Sequence, residues 1–539
     1  MRDSESAAPA MERRDFLAVG LAAGAGLALG SATPAASAAF ALDEASLDQI
    51  GAALASGRTT SKALAARYLA RIAALDAQGP KLRSVLETNP DALSIAAALD
   101  AERSASGGRG PLHGIPVLVK DNLDSADRMK TTAGSLALLD APAPARDAFV
   151  VRRLRAAGAL LLGKTNLSEW ANFRSRQSCS GWSGRGGQTR NPYALDRDPS
   201  GSSSGSAAAV AAGLCAAAVG TETNGSIVSP ARACGIVGLK PTVGLVSRSG
   251  IIPIAHSLDT AGPMTRSVKD AALLLGVMAG VDPDDPATAA AADRLQKDYT
   301  AFLDPDGLKG ARIGLARSYF GDNPRVDVLM KAALEVLRAR GAVLVDPAEL
   351  GPAGAYSEAS YQVMLYEFKA GLESYLARRG GPVRTLAGLI AWNEVHRNRE
   401  LPLFGQDLLV AAQAKGPLSD EAYLKALEKA RRMAGPEGID AVLDRHQLDA
   451  LVAPTGGPAP LIDPALGSRG GFGCSTPAAV AGYPHLTVPA GYVHGLPVGL
   501  SFFGRAWSEP TLLKLGFAYE QATHHRRAPR FLRSAALEA

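Results

Sequence analysis

The feature that most constrains the fold is a strand–helix–strand pattern that begins after residue 107. Residues 115–119 and 159–163 are short apolar runs typical of buried strands, and residues 149–157 between them have helical spacing. Strands that are apolar at every position are typical of sheets covered on both faces. The pattern therefore predicts an α/β protein whose sheet has helices on both sides.

The flanking segments extend this prediction along the chain. Residues 43–104 have the periodicity of two or three amphipathic helices, and residues 207–219 are predicted to form a small helix buried all round. Residues 175–205 are rich in Ser, Gly and Arg, which predicts a long loop of the kind that is often functional.

A region rich in long helices separates two strand-rich regions. Long helices are predicted at residues 326–340, 356–379, 386–400 and 420–434, and further strands at residues 450–453, 486–489 and 498–503. The sequence is therefore interpreted as a single domain over residues 39–539. Its core covers about 107–345, a helical insertion about 346–440, and the C-terminal strands and tail 441–539.

The N-terminal segment has the features of an export signal. Arg13 and Arg14 precede a modest apolar run at residues 16–30, and small residues follow at 36–38. These parts predict a twin-arginine signal over residues 1–38, and hence a periplasmic or secreted protein. The apolar run is too short to span a membrane, so no membrane association is expected after its removal. The alternatives are a disordered tail or a misassigned start codon.

Composition excludes several classes of protein. With 47% hydrophobic and 20% charged residues, the chain can bury a large core, and wholesale disorder is excluded. The net charge of +5 is too small and too evenly spread to predict a nucleic-acid partner. The four cysteines have no metal-ligand spacing, so neither a metal nor another cofactor is expected, while one disulfide remains possible.

The densest candidate for catalytic chemistry is a pair of Ser- and Gly-rich segments. Residues 201–206 read Gly-Ser-Ser-Ser-Gly-Ser, and residues 220–226 read Gly-Thr-Glu-Thr-Asn-Gly-Ser. Small residues let successive backbone N–H groups converge on one point, which is what the oxyanion of an acyl-transfer intermediate requires. The second segment therefore offers a nucleophile with its oxyanion hole, although an ordinary Gly/Ser turn has the same composition.

A serine nucleophile needs a base, and the sequence leaves two types open. All eight histidines lie outside the Ser-rich segments, but a Ser-His-Asp triad assembled in space is not excluded. Lys120 ends the apolar run at 115–119, where burial would lower the pKa of its amine and make it a base. The alternative for Lys120 is a strand-end side chain that extends to solvent.

Four motifs in one order resemble the amidase signature family. They are Gly-Ile-Pro-Val-Leu-Val-Lys-Asp-Asn at 114–122, Gly-Lys-Thr-Asn-Leu-Ser-Glu-Trp at 163–170, and the segments at 201–206 and 220–226. The resemblance covers nearly all of residues 39–539. It implies a large mixed β-sheet sandwiched between helices, and an amidase that needs no cofactor.

The resemblance also implies a Ser-cisSer-Lys triad. Ser226 matches the acyl-forming nucleophile, Ser202 matches the bridging serine that follows a cis peptide bond, and Lys120 matches the base. The backbone N–H groups of Thr223, Asn224, Gly225 and Ser226 would form the oxyanion hole.

Two positions depart from the pattern common in that family. Asn224 stands where the family often has a glycine. Asparagine tolerates a left-handed backbone better than most residues, but its side chain would narrow the site. Val228 replaces an arginine two residues after the nucleophile, so the substrate anchoring of other members is not carried over to this chain.

Segments outside the catalytic motifs resemble the bacterial peptide amidases, including residues 167–174 and 366–373. This predicts hydrolysis of the C-terminal amide of peptides, with the peptide amide and water as the only partners. Amidases of fatty, aryl or oligomeric amides are the first alternative, and the glutaminase-type subunit of a tRNA-dependent amidotransferase is the second. A non-catalytic binding protein is a third, and the choice between monomer and homodimer stays open.

Overall fold

One large sheet organises the protein, and the computed structural model describes residues 42–352, 354–468 and 471–536 of it. In chain order the strands are β1 (Val85–Thr88), β2 (Pro116–Lys120), β3 (Leu160–Thr165), β4 (Trp182–Ser183), β5 (Gly187–Gln188), β6 (Ala217–Glu222), β7 (Val237–Lys240), β8 (Thr260–Thr265), β9 (Arg312–Leu315), β10 (Val343–Val345), β11 (Ala450–Pro454), β12 (His485–Val493) and β13 (Leu496–Phe503). Within the described residues, eleven strands form one sheet in the order β1-β3-β2-β6-β8-β7-β12-β13-β11-β9-β10, and β4 pairs with β5 separately.

The sheet is mixed. β2 runs parallel to both β3 and β6, and β9 runs parallel to β10 and β11. The strands between these groups pair antiparallel, from β6 and β8 across to β13 and β11. Every residue of β2, β3, β6 and β8 is buried, so both faces of the sheet are covered there. The predicted α/β class with a mixed sheet between helices is confirmed.

Helices connect and cover the strands. They are α1 (Leu47–Ala55), α2 (Ser61–Arg71), α3 (Ala92–Ser106), α4 (Phe149–Ala156), α5 (Ser204–Ala211), α6 (Val228–Ala233), α7 (Val268–Met278), α8 (Pro324–Ala339), α9 (Ser357–Arg379), α10 (Leu386–Val395), α11 (Arg397–Glu400), α12 (Asp407–Gln413), α13 (Glu421–Ala434), α14 (Ala441–His446), α15 (Ser475–Ala481) and α16 (Glu509–Thr523). The predicted strands at 115–119 and 159–163 are β2 and β3, and α4 lies between them as expected.

The prediction of one helix over residues 207–219 was wrong. Helix α5 ends at Ala211, Gly213 takes a left-handed φ of +65°, and the remaining residues enter strand β6. A continuous run of small apolar residues fits a buried helix and a buried strand equally well, so periodicity alone does not separate them. The correction matters because β6 leads directly into the 220–226 motif.

The predicted helix over residues 386–400 was also wrong in one respect. It is two helices, α10 and α11, interrupted at His396, whose φ and ψ of −105° and 22° depart from helical values. The imidazole stacks on Trp392 with ring centroids 3.9 Å apart. The other three long helices appear as α8, α9 and α13, within two residues of their predicted ends.

Helices α9–α13 lie between β10 and β11 in the chain and pack on the Trp170 region of the core. Phe368 of α9 contacts Phe173 with ring centroids 5.0 Å apart, and both side chains belong to one buried apolar cluster with Trp170 and Ile254. The carboxylate of Glu367, fully buried on α9, accepts hydrogen bonds from the Tyr423 hydroxyl at 2.7 Å and from the Ser257 N–H at 2.9 Å. These contacts fix α9 against the loop that follows β7.

The long loop predicted at 175–205 is held by a buried arginine. Arg174 donates to the Glu400 carbonyl at 2.6 Å and pairs with Glu169, and its guanidinium lies 4.0 Å from the centroid of the Phe404 ring. Burial raises the pKa of Glu169 to about 8, while Arg174 opposes that shift. Arg174 thereby joins the loop to the helical segment around α11 through a hydrogen bond to Glu400 and a cation–π contact with Phe404.

Two further observations concern predictions made from the sequence. The four cysteines have free thiols and are buried. Among the residues that the structure covers, no helix has both the length and the apolar character needed to cross a membrane. The predicted export signal, residues 1–38, lies outside the described residues, so it stays a prediction.

Candidate active site

Lys120 lies at the C-terminal end of β2, in the interior of the sheet. Its side chain has no solvent exposure, because β3 and β6 flank the strand and helices cover it. The amine nitrogen Nζ lies 2.8 Å from Ser202 Oγ, 3.1 Å from Ser203 Oγ, and 2.8 and 3.3 Å from Thr221 Oγ1 and its carbonyl oxygen. An ammonium has only three N–H bonds and cannot donate to all four of these oxygens. A neutral amine has a lone pair, so one of the hydroxyls can donate a hydrogen bond to it.

The electrostatic environment favours that neutral amine. Burial lowers the pKa of Lys120 to about 7, against the opposing influence of the carboxylates of Asp259 and Glu222. An uncharged amine, which is what a general base requires, is therefore accessible near neutral pH. The alternative of a lysine extending to solvent is wrong, because the side chain is fully enclosed.

Ser202 is presented to Lys120 by an unusual backbone. The Gly201–Ser202 peptide bond is cis, which matches the geometry implied for the bridging serine. A side chain at Gly201 would place its Cβ 2.3 Å from Ser168 Oγ, so a larger residue before Ser202 would require Ser168 to move. The next turn begins α5, and the Ser203 hydroxyl donates to the Thr221 carbonyl at 3.0 Å, which joins the two motifs.

Ser226 lies in the turn between β6 and α6. Its carbonyl accepts a hydrogen bond from the Ser203 N–H at 3.1 Å, so the nucleophile candidate is fixed against the residue that follows Ser202. Ser226 is 8% exposed, whereas Ser202 and Lys120 are completely enclosed. Within the described residues no hydrogen bond joins the hydroxyls of Ser226 and Ser202.

The buried side chain of Glu222 holds this turn through hydrogen bonds from its backbone N–H groups. Its carboxylate accepts hydrogen bonds from the N–H groups of Gly225 at 2.8 Å, Ile227 at 2.7 Å and Val228 at 3.1 Å. Glu222 is 1% exposed, and a charged acceptor in such surroundings holds several backbone donors strongly.

This arrangement bears on the predicted oxyanion hole. The Gly225 N–H already donates to Glu222, so it is not free to bind a substrate oxygen. The other three N–H groups, of Thr223, Asn224 and Ser226, donate to no acceptor in the described part of the chain. Three of the four predicted donors are therefore available.

The two departures from the family pattern have clear structural outcomes. The left-handed conformation falls on Gly225, with φ +82°, and not on Asn224. The Asn224 side chain bonds to Ser475 at 2.7 Å and to Thr476 at 3.2 Å, which fastens the turn to the start of α15. Val228 is completely buried at the first position of α6, where it packs and carries no charge.

Sequence reasoning missed three residues of the cluster. Ser203 and Thr221 supply three of the four oxygens around Lys120, and Glu222 organises the turn. A signal for Glu222 was available, since a carboxylate three residues before a glycine turn can accept its N–H groups. Thr221 carried no such signal, because its contact with Lys120 arises only when β2 and β6 become neighbours.

Comparison with known proteins shows the family of this chain. The family model described as Amidase matches residues 63–513. The chain belongs to the amidase family. It is therefore an amide-hydrolysing enzyme, and the enzyme class predicted from the sequence is confirmed.

This amidase resembles known relatives along most of its length. It is 56% identical to the peptide amidase of Stenotrophomonas maltophilia, with a TM-score of 0.87, 90% of this chain and 99% of that chain covered. A probable amidase of Arabidopsis thaliana is 41% identical over 506 residues, 92% of this chain and 93% of the relative. One component of the glutamyl-tRNA(Gln) amidotransferase of a Roseiflexus species is 38% identical, with 90% of this chain and 98% of the relative covered.

Proposed function

We propose that this amidase hydrolyses the C-terminal carboxamide of peptides to a carboxylate and ammonia, with Ser226, Ser202 and Lys120 as its catalytic triad. The observation that carries the proposal is the enclosed Lys120 amine 2.8 Å from the Ser202 hydroxyl oxygen. A lysine whose enclosed amine contacts a serine hydroxyl, and whose pKa burial lowers to about 7, has the properties of a general base.

The proposed chemistry conserves protons at each step. Ser226 Oγ attacks the carboxamide carbon while its proton passes to Ser202, whose own proton passes to neutral Lys120. Collapse of the tetrahedral intermediate returns a proton through Ser202 to the departing nitrogen, and ammonia leaves. Water then attacks the acyl-enzyme and gives one proton to the same relay, which returns it to Ser226 as the carboxylic acid leaves and ionises to the carboxylate and a proton. Contacts of this kind commonly tighten only when substrate binds.

The backbone supplies the electrostatic part of this mechanism. The N–H groups of Thr223, Asn224 and Ser226 are the donors proposed for the developing oxyanion. Removing one such donor from a serine hydrolase costs about 10²–10³ in kcat. Glu222 holds the turn in which these donors lie through its bond from Gly225.

The peptide-amide substrate is supported by sequence similarity along most of the chain. Identity to the peptide amidase is 56%, compared with 38% to the amidotransferase component. We therefore propose a peptide amide and water as the reactants. Fatty, aryl or oligomeric amides and glutamine are the competing substrates, and each corresponds to a distinct outcome of the experiment below.

The test is mass spectrometry of a mixed panel that contains an amidated peptide, a fatty amide, an aryl amide and glutamine. We expect the wild-type enzyme to remove the terminal amide of the peptide and to leave every internal peptide bond intact. The Ser226→Ala variant, with the same folded stability as the wild type, should remove no amide. A matched Ser229→Ala variant, in the helix α6 that follows this turn, should keep its activity. Turnover of glutamine or fatty amide in preference to the peptide would refute the proposed substrate, and activity in Ser226→Ala would refute the nucleophile.

We also propose export by the twin-arginine pathway, on the sequence features of residues 1–38 alone. A substrate class of peptides is consistent with a periplasmic or secreted enzyme. Replacing Arg13 and Arg14 with lysines should abolish export of the full-length chain in a Tat-competent bacterium. Export of the double variant at the wild-type level would contradict the assignment.

A further inference from the structure

The carboxylate of Asp259 lies against the first residue of the catalytic turn, because β6 and β8 pair antiparallel. Their register places Glu222 opposite Thr260, and the next two residues beyond that pair are Thr223 and Asp259. The Thr223 hydroxyl donates to Asp259 Oδ1 at 2.5 Å. Thr223 is only 6% exposed, so little water competes for this bond. The end of the sheet therefore connects a carboxylate to the turn that carries the nucleophile.

Both carboxylate oxygens of Asp259 are used by the protein. Oδ2 accepts hydrogen bonds from the N–H groups of Ile254 at 2.8 Å and Ala255 at 2.9 Å. They belong to the loop at residues 248–256, which together with Thr223 lines a cavity of about 430 Å³ beside the candidate active site. A volume in this range is typical of small-ligand sites. With three hydrogen bonds already accepted, Asp259 is suited to hold the wall of this cavity and not to bind a ligand.

The contact with Asp259 reaches the oxyanion hole through Thr223. The Thr223 N–H is one of the three proposed donors that have no acceptor among the described residues. Along the same turn, the Asn224 side chain is held by α15 and the Gly225 N–H by Glu222. Each residue from 223 to 225 is thus fixed by a different partner. Donors that are fixed before the reaction stabilise an oxyanion without having to reorient.

The charge of Asp259 also acts on Lys120. Asp259 and Glu222 are the carboxylates that favour the charged form of the Lys120 amine. The other cation that acts on Asp259 is Arg248, which is paired with Asp285. Desolvation raises the pKa of Asp259 to about 6, against the influence of its three hydrogen bonds, so the carboxylate is ionised above that pH. A negative charge is therefore in place when Lys120 takes up the serine proton.

We propose that Asp259 is a positioning residue of this amidase, which orients the Thr223 N–H toward the oxyanion through the Thr223 hydroxyl and supports the protonated form of Lys120 by its charge. The inference rests on the proposed function, since it requires that Ser226, Ser202 and Lys120 carry out the reaction. It assigns to Asp259 no part in the bond-breaking steps.

The first test removes the hydrogen bond and keeps the charge. Thr223→Val retains the shape of the side chain without its hydroxyl. For an amidated dipeptide we expect kcat to fall by about 30-fold while KM changes by less than about threefold. The midpoint of the pH profile should stay near that of the wild type, because Asp259 is still present. Thr223→Ser, which restores the hydroxyl, should return kcat to within about threefold of the wild type. A Thr223→Val variant with wild-type kcat would overturn the proposal.

The second test removes the charge. In Asp259→Asn we expect kcat at high pH to fall by about 30-fold or more. The midpoint of the pH profile should move to lower pH by about one unit, because the Lys120 ammonium loses a nearby negative charge. A residue that serves only the fold would not move that midpoint. An unchanged midpoint would overturn the proposal, and Thr223→Val decides the matter if Asp259→Asn does not fold.

The chain offers a matched control at the edge of the sheet. Asp76, 3% exposed, also accepts a hydroxyl and two N–H groups, from Ser84 and from Val85 beside strand β1. Asp76→Asn and Ser84→Ala should therefore lower the melting temperature while kcat and the midpoint of the pH profile stay unchanged. Equal losses of kcat in the two pairs would mean a general effect on folding and would contradict a specific role for Asp259.

Inhibition by an N-acetylated peptide aldehyde separates this inference from the proposed function. Ser226 Oγ adds to the aldehyde carbon, its proton passes to the relay, and the aldehyde oxygen becomes the oxyanion. We expect Thr223→Val to weaken this inhibition by about the same 30-fold as it lowers kcat. The corresponding peptide alcohol forms no adduct and should bind both proteins equally. Equal inhibition of wild type and Thr223→Val by the aldehyde would overturn this inference alone. A wild-type enzyme that the aldehyde does not inhibit would refute the proposed nucleophile, and this inference with it.

Discussion

The Lys120 amine lies 2.8 Å from the Ser202 hydroxyl oxygen, and neither side chain is exposed to solvent. Enclosure has two consequences that act together. It lowers the pKa of the lysine to about 7, and it keeps water from competing for the serine proton. A proton relay therefore needs no histidine here, and the eight histidines of the chain lie outside this cluster.

The pH dependence of catalysis should follow Lys120. Its active form is the neutral amine, so kcat/KM for an amidated dipeptide should rise with pH through about 7 and then level off. Below that value we expect about a tenfold fall per pH unit. Steady-state rates between pH 5 and 9 provide the measurement. Lys120→Met should lose at least about 10³ in kcat. A flat profile, or an active Lys120→Met, would remove Lys120 from the mechanism.

Replacing Thr221 with valine should alter Lys120 without removing it. The Thr221 hydroxyl lies 2.8 Å from the amine, so its loss takes away an oxygen that stabilises the charged form. The midpoint of the pH profile should move to lower pH, and kcat should fall by about tenfold. Thr265→Val is the control, because that buried hydroxyl donates to the Ser267 carbonyl away from the site. A midpoint that moves upward would show that the Thr221 hydroxyl does not stabilise the charged amine.

Gly225 is predicted to be irreplaceable for two separable reasons. The backbone at Gly225 has a left-handed φ of +82°. A Cβ added there would lie 3.0 Å from both Ser229 Oγ and Ser475 Oγ. The backbone part costs about 1–2 kcal/mol, and the crowding should displace the turn and reduce kcat by about 10²-fold. Gly57→Ala shares the left-handed φ, at +71°, but has open space around it. Chemical denaturation should show similar losses of unfolding free energy in Gly225→Ala and Gly57→Ala. Rate measurements should show full activity only in Gly57→Ala.

Glu222→Gln tests how the turn is organised. The glutamine amide would direct N–H groups toward backbone donors that the carboxylate now accepts. We expect a loss of about 2 kcal/mol in unfolding free energy and a fall of about 10²-fold in kcat with little change in KM. Glu509→Gln is the control, since this buried carboxylate accepts the Thr242 N–H at 2.6 Å, remote from the turn. It should lose stability while keeping kcat, whereas equal losses of kcat would mean a general effect on folding.

Much of this organisation follows from local patterns. The apolar runs of β2 and β3 and the long helices α8, α9 and α13 carry their own periodicity, and their ends were found within a few residues. The short strand β1 and the end of α5 were missed, because Val85–Thr88 is only half-buried and the small residues after Ala211 fit either element. Short strands acquire their identity from their neighbours in the sheet.

The candidate site divides in the same way. The sequence alone determined the chemical groups: a lysine ending a buried strand, and two serines among glycines that leave backbone N–H groups bare. Only the tertiary structure decided that Thr221 and Ser203 surround the amine and that Glu222 takes the Gly225 N–H. Residue types are local properties of a chain, whereas desolvation and hydrogen-bond partners depend on distances between segments remote in sequence, which only the sheet order fixes.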